Sequence, residues 1–273
     1  AGHTGTLDPG AAGVLIVCLG KATKVIQFMD DDKEYRAEIV FGKSTTSQDS
    51  FGDVIKTKNC SSLTIENIHN NLHHFTGEIE QLPPMTSALK YKGKKLYELA
   101  RRGTTVERKK RKVNVHKIDI VYNRNLGTTE PSLIIDIGCS AGTYVRTFCS
   151  DFGEWLGYCA YMSFLLRTRV GLFSIEDSYT LESLEELSKT GRLKDALFSI
   201  SEALANLPEV VVSENDSRAI SNGNAINLTL KDEHLQFPDR LVRIEGPKGI
   251  IAIGQVYLKA YNILHVKPVK VLV

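Results

Sequence analysis

The sequence predicts an α+β chain: a body of strands and helices in mixed order, without a steady βαβ rhythm, followed by a small all-β tail. Three observations carry that expectation. Runs with alternating or β-branched residues (YRAEIVFG 35–42, RKVNVHKIDIVYN 111–123, PSLIIDIGCS 131–140) are interleaved with segments of helical spacing. From Glu209 the texture changes to short strand-like runs, VVVSENDSRAISNGNAINL, LVRIEGPKGIIAIGQVYL and HVKPVKVLV, separated by Gly, Asn and Pro turns. Finally, 273 residues that are 42% hydrophobic can bury a large core and leave room for a small second domain. The expected domains are 1–208 and 209–273, the second a small β-barrel.

The chain opens with AGHTGTLDPGAAG, which holds four glycines, two threonines, His3 and Asp8. A phosphate loop is rejected because the Gly-Lys-Ser/Thr ending is missing, and a dinucleotide fingerprint fails because no strand precedes it. Two readings stay open. Asp8 before Pro9 is a good helix N-cap with proline at the first helical position, leading into AAGVLIVCLG. Asp8 on a glycine-rich turn is also a carboxylate that a ligand can approach closely. Residues 13–29 continue with apolar residues at a helix-like spacing.

The strand at 35–42 ends at Gly42, and KSTTSQDSFGDV reads as a loop. LTIENIHNNLHHFTG predicts an amphipathic helix capped by Thr64 and ended by Gly77. His69, His73 and His74 on it lack a companion carboxylate motif and read as surface residues, so no metal is expected. Pro83-Pro84 fixes an extended segment, KLYELARRG a short helix, and AGTYVRTFCSDFGEWLG a turn from strand into helix at Gly142-Thr143. SLEELSKTGRLKDALFSISEALANLP reads as helical up to Pro208.

Charge is unevenly spread. The chain has a net charge of +2, yet residues 90–112 hold eleven Lys/Arg and two Glu, a local +9 that leaves −7 for the rest. Tyr91 and Tyr97 interleave with these cations, which points to a polyanion with stackable bases, a nucleic acid. The five cysteines are odd in number and none are two residues apart, which argues against a disulfide framework or zinc ribbon and for free thiols in a reducing cytoplasm. No run of about 18 apolar residues is present, so no membrane-spanning helix is expected. The start at Ala1, inside a turn, leads us to expect a native segment upstream.

For Asp8 to act, a partner must set its charge and aim. Tyr144 and Arg146 of GTYVR are candidates, since a guanidinium favours the ionised form of a carboxylate beside it.

Four blocks, GHTGTLDPGAAGVLIVCLGKATK, KEYRAEIVFGKSTTSQDSFG, QLPPMTSALKYKGKKLYELARRG and CSAGTYVRTFCSDFGEWLGYCAYMSFLLRTRVG, together resemble the TruB family of tRNA pseudouridine synthases, in the family's order over roughly residues 1–175. The resemblance implies a pseudouridine synthase fold with a mixed, mostly antiparallel sheet flanked by helices, plus a C-terminal PUA-like RNA-binding domain. It implies isomerisation of uridine 55 in the T-loop of tRNA by a bacterial-type enzyme. It places the catalytic carboxylate on Asp8, its arginine partner on Arg146 and the active-site tyrosine on Tyr35. It places His3, Tyr144, Leu166 and Lys24 around the substrate, and leaves Lys90 with an RNA-facing role. Lys109, Lys110 and Arg111 join them as RNA contacts from the basic segment. The family's KPxGxTS segment is absent, and Thr86 stands where many relatives carry tyrosine.

Such a reaction breaks the C1′–N1 bond, turns the base over, joins C5 to C1′ and releases the C5 proton. It needs no redox cofactor, metal or nucleotide, so no cofactor is expected. The target base has to be extruded from its stack at a cost of roughly a few kcal/mol. Asp8 serves by attacking C1′ or by taking the C2′ proton, and the sequence leaves both open. The expected partner is the tRNA T-stem-loop, with no membrane and no obligate protein partner; a monomer is the default. Two other classes stand as alternatives: a non-catalytic RNA-binding or RNA-folding protein, and a glycoside hydrolase, which generally needs two carboxylates.

Overall fold

The structure, a computed structural model, describes residues 1–229, 240–260 and 263–273. The chain divides into two compact units. One comprises Leu7–Val14 and Asp31–Glu176; the other comprises Ala1–Thr6, Leu15–Asp30 and Asp177–Val273.

The first unit is built on a seven-stranded sheet. Its order from one edge is Phe173–Ser174, Ala160–Val170, Lys33–Phe41, Ser132–Cys139, Arg111–Arg124 and Gly77–Gln81, all antiparallel, while Ala12–Gly13 adds a short parallel pairing to Ala160–Val170. Alternation in the sequence explains the sheet's two faces. In Lys33–Phe41, Tyr35, Ala37, Ile39 and Phe41 are buried, whereas Glu34, Arg36 and Glu38 turn the other way. The buried face packs against the helices Ile65–Leu72 and Val145–Trp155. There Phe75, Phe148 and Phe152 meet edge to face or stacked, and Ile39, Ile135 and Met162 lie beneath them. Thr64 caps the first helix as predicted, its hydroxyl accepting from Asn67 N–H at 3.2 Å. Gly153 has no room for a side chain, because a Cβ would run into Ala160, so the helix lies hard against the strand it precedes.

In the second unit, five strands run in the order Glu209–Val211, Arg240–Gly246, Gly249–Ala260, Ile263–Val271 and Ile226–Thr229; the first pair is parallel and the rest antiparallel. Val242, Ile244, Val256 and Val266 form its core with Ile220.

Several elements differ from the sequence reading. Lys43–Thr45, read as loop, is a short strand paired with Val54–Thr57. Residues 13–29 form no α-helix but two short 3-10 turns, Gly20–Lys24 and Ile26–Phe28. Asp8 therefore caps no helix: its carbonyl accepts from Ala11 N–H at 2.9 Å in a turn. The reason lies in Gly13, whose φ of +114° and contact with the Arg167 backbone admit no side chain, and in Val14, whose N–H is given to the Arg167 carbonyl at 2.9 Å. Tertiary docking on the strand edge thus overrides helical spacing. The helical stretch before Pro208 is broken into Leu181–Lys189, a 3-10 turn Leu193–Ala196 and Ile200–Ala203, because Gly191 takes φ +71°. Last, SENDSRAIS is a helix, Glu214–Ser221, where the sequence suggested strands. Ser213 caps it, accepting from Asp216 N–H, and Glu214 and Asp216 lie in its first turn.

All five cysteines are free and buried. Among the described residues no helix is long and apolar enough to cross a membrane.

Candidate active site

The site of the first unit is assembled by backbone geometry. The Ala12–Gly13 pairing docks the turn carrying Asp8 on the Ala160–Val170 strand, and Arg167 Nε donates a hydrogen bond to the Val14 carbonyl at 2.6 Å. Arg146 comes from the first turn of the Val145–Trp155 helix. Gln81, buried in the Gly77–Gln81 strand, fixes the entry to that helix: its Nε2 donates to the Tyr144 carbonyl at 3.2 Å and its Oε1 accepts from Tyr144 N–H at 2.9 Å.

Arg146 is the hub. Its guanidinium is 4% exposed and its Nε donates to Asp8 Oδ2 at 2.8 Å, while Asp8 remains 41% exposed. Nη1 donates to the Thr86 hydroxyl at 2.5 Å and the Ser47 carbonyl at 3.2 Å, and lies 3.6 Å from Asp49 Oδ2; Nη2 reaches the Thr86 carbonyl at 3.4 Å. A buried guanidinium is tolerated only when paired and hydrogen-bonded, and here two carboxylates and three neutral oxygens surround it. One carboxylate, Asp8, stays open to a ligand.

Tyr35 is buried beside this pair, in register with Ile137 on one side and Arg167 on the other. Burial pushes its phenol up to about 12, helped by Cys139 and Asp8, while a hydrogen bond and the charge of Arg167 pull the other way. At neutral pH the ring is thus an uncharged wall with a hydroxyl, near the Asp8 carboxylate.

Of the residues expected at the site, the structure brings together Asp8, Tyr35, Arg146 and the Tyr144 backbone. It does not bring Leu166 to Tyr35. Strand alternation turns Leu166 to the opposite sheet face, where it lines an open groove of about 430 Å³ with Arg36, Asp136 and Thr168. The leucine on the Tyr35 face is its neighbour Leu165, in the same buried cluster. His3 and Lys24 belong to the second unit. His3 is exposed and pairs with Val17, and Lys24 donates to the Val271 carbonyl at 3.2 Å. Lys90 is exposed in a hairpin, Lys90–Tyr91 with Lys94–Lys95, followed by the Leu96–Arg101 helix. Lys109, Lys110 and Arg111 are exposed at the start of the Arg111–Arg124 strand, with Lys110 3.5 Å from Glu80 and its neighbour Lys112 2.7 Å from Glu78.

Sequence reasoning missed Asp49, Thr86, Gln81 and Arg167. Asp49 falls in the stretch KSTTSQDSFG, but nothing in a polar loop marks which acid turns inward. In the sequence Thr86 stands out only as a threonine where many relatives carry tyrosine. His73 and His74 lie ring to ring, with His74 against Trp155, and among the described residues no group of three or more His, Cys, Asp or Glu is placed to hold a metal.

A family model described as TruB family pseudouridylate synthase (N terminal domain) matches residues 1–145, and one for the tRNA pseudouridylate synthase B C-terminal domain matches residues 146–205. The tRNA pseudouridine synthase B of Pelotomaculum thermopropionicum is 44% identical over 277 residues, covering 100% of this chain and 88% of that protein. The same-named protein of Bacillus cereus is 40% identical over 275 residues, covering 100% and 88%. Among solved structures, the crystal structure of a Cbf5-Nop10-Gar1 complex matches with a TM-score of 0.71 and 27% identity, covering 100% of this chain and 76% of that one. The fold is similar also to an H/ACA RNP bound to a substrate RNA, with a TM-score of 0.70 and 24% identity.

Proposed function

The chain belongs to the TruB family of pseudouridylate synthases, and from that premise we propose that it isomerises uridine to pseudouridine in tRNA, at position 55 of the T-loop. The observation that carries the reading is the Asp8–Arg146 pair: one partly open carboxylate held by a buried guanidinium, with the uncharged ring of Tyr35 beside it.

In this reading Asp8 is the catalytic carboxylate. Arg146 holds it aimed, so that it can attack C1′ or take the C2′ proton once the glycosidic bond weakens. Tyr35 stacks on the extruded base, and its hydroxyl stands near C5, hydrogen-bonded to Arg167. Leu165 contributes apolar wall on the same face as Tyr35, and Gln81 and Thr86 keep Arg146 in place. Lys90, Lys109, Lys110 and Arg111 grip phosphates of the stem and loop, recognising shape more than base edges. His3 and Lys24 meet the RNA from the second unit, and residues 209–273 act as the PUA-like RNA-binding domain behind a catalytic domain of residues 1–208. The enzyme works in the cytoplasm as a monomer and uses no metal or cofactor, since neither electrons nor phosphate change hands.

The test is incubation with an unmodified tRNA transcript followed by mapping of pseudouridine. Formation at the T-loop uridine supports the reading; formation elsewhere keeps the isomerase and changes its target; no formation under conditions where the RNA binds removes it.

A further inference from the structure

Phe51 is the most exposed aromatic side chain among the described residues, at 78%, yet it stands on a rigid base. Its N–H donates to Asp49 Oδ1 at 3.0 Å, and Ser47 Oγ donates to the same oxygen at 2.5 Å. Asp49 Oδ2 turns toward Arg146, so one carboxylate ties the Phe51 loop to the hub of the site. The loop is closed further by Thr45 Oγ1 donating to the Asp49 carbonyl at 2.6 Å, and by Asp53 N–H donating to Thr46 Oγ1 at 3.1 Å. Gln48 takes a left-handed φ of +64°, and Gly52 has no space for a Cβ against Ser47. A backbone held this firmly at positive φ costs energy that surrounding contacts must offset.

The ring lies over Gly10, where a Cβ would overlap it, and Gly10 is two residues from Asp8 in the same turn. Beyond the ring, Val54 and Ile55 extend apolar surface, at 53% and 65% exposure. An aromatic ring that is solvent-exposed, preordered and seated on the turn of an RNA enzyme's catalytic carboxylate has one economical use. We propose that Phe51 is a stacking platform for a nucleobase of the substrate RNA next to the extruded uridine. This rests on the RNA-isomerase reading above. Extruding one base leaves its neighbour with an unstacked face, and an aromatic ring can cover that face whatever the base identity. The ring thereby holds the opened loop over Asp8.

The experiment compares wild type, Phe51→Ala and Phe51→Tyr on an unmodified tRNA transcript and on transcripts with single abasic sites flanking the target uridine. It measures both RNA affinity and turnover. Loss of one base–aromatic stack is expected to raise Kd and KM of Phe51→Ala about tenfold, with the main effect on KM rather than kcat, and Phe51→Tyr is expected to restore both. At one abasic position wild type is expected to weaken by a similar factor and the difference from Phe51→Ala to vanish. Kd and KM of Phe51→Ala within about twofold of wild type overturn the proposal, as does a deficit of equal size on every abasic transcript. A wild type that binds the transcript without turnover counts against the isomerase reading, and the affinity comparison then still decides the role of Phe51.

Discussion

Arg146 donates its Nε–H to Asp8 Oδ2 at 2.8 Å from a position that is 4% exposed, while the aspartate it holds is 41% exposed. The asymmetry matters. The cation is fixed by oxygens on every side, and the anion keeps a free edge toward whatever enters. Replacing Asp8 with Asn preserves shape and removes both the charge and the basic oxygen. Asp8→Asn is expected to abolish pseudouridine formation and to retain tRNA binding, read by product mapping and by filter binding. Turnover within about tenfold of wild type would end the catalytic assignment.

Thr86 tests how far Arg146 depends on its neutral partners. The hydroxyl accepts from Nη1 at 2.5 Å, so Thr86→Val leaves that N–H facing a methyl group in a buried place. An unsatisfied buried donor costs about 1–3 kcal/mol. Part of that cost should appear as a looser guanidinium: kcat is expected to fall about tenfold with Kd for tRNA little changed. Thr86→Ser should restore kcat. A Thr86→Val enzyme with wild-type kcat, or a Thr86→Ser enzyme as slow as Thr86→Val, contradicts the positioning role.

Tyr35 gives a prediction about pH. Its phenol is raised from about 10 to about 12, chiefly by burial, so the folded state holds this proton more tightly than the unfolded chain does. The associated stability is fully present below about pH 10 and is lost as pH rises through about 12. In a pH series of chemical denaturation, wild type should lose more stability between pH 9 and 11 than Tyr35→Phe. In the single-turnover rate, no ionisation traceable to Tyr35 should appear between pH 6 and 9. A basic limb with a midpoint in that range that disappears in Tyr35→Phe would show the tyrosine titrating where its surroundings forbid it.

The chemistry was easier to read from the sequence than the shape that delivers it. Alternation at Tyr35, Ala37, Ile39 and Phe41 marks a strand with one buried face, because the period of two is written in the residues themselves. Asp8, by contrast, was legible as a residue on a glycine-rich turn, but whether that turn opens a helix was not. Apolar spacing downstream suggested a helix, and the decisive contact is with Arg167, more than 150 positions away. The hub around Arg146 draws on four separate stretches of chain, at Asp8, Ser47 to Asp49, Thr86 and its own helix, and no local pattern announces that Asp49 or Thr86 turns inward. Leu165 and Leu166 differ only in strand parity. That parity follows from the pairing of Arg167 with Tyr35, a register the sequence does not display.

The basic segment supplies the last test. Residues 90–112 carry a local charge of +9, but the structure pairs part of it within the protein: Lys112 with Glu78 at 2.7 Å and Lys110 near Glu80 at 3.5 Å. Both pairs are solvent-exposed, so each contributes little to stability and can be exchanged for a phosphate. Each phosphate contact releases counterions, which steepens the dependence of log K on log salt by about 0.7 to 0.9 per contact. Replacing Lys109, Lys110 and Arg111 together with Ser is expected to weaken tRNA binding at low salt and to reduce the slope by about 2. Thermal stability should stay close to wild type, because all three side chains are exposed. Measuring Kd from 50 to 300 mM salt decides the matter. Parallel slopes for the two proteins would mean these cations face solvent and not RNA, and the grip would then have to come from the Lys90 hairpin or from the other unit.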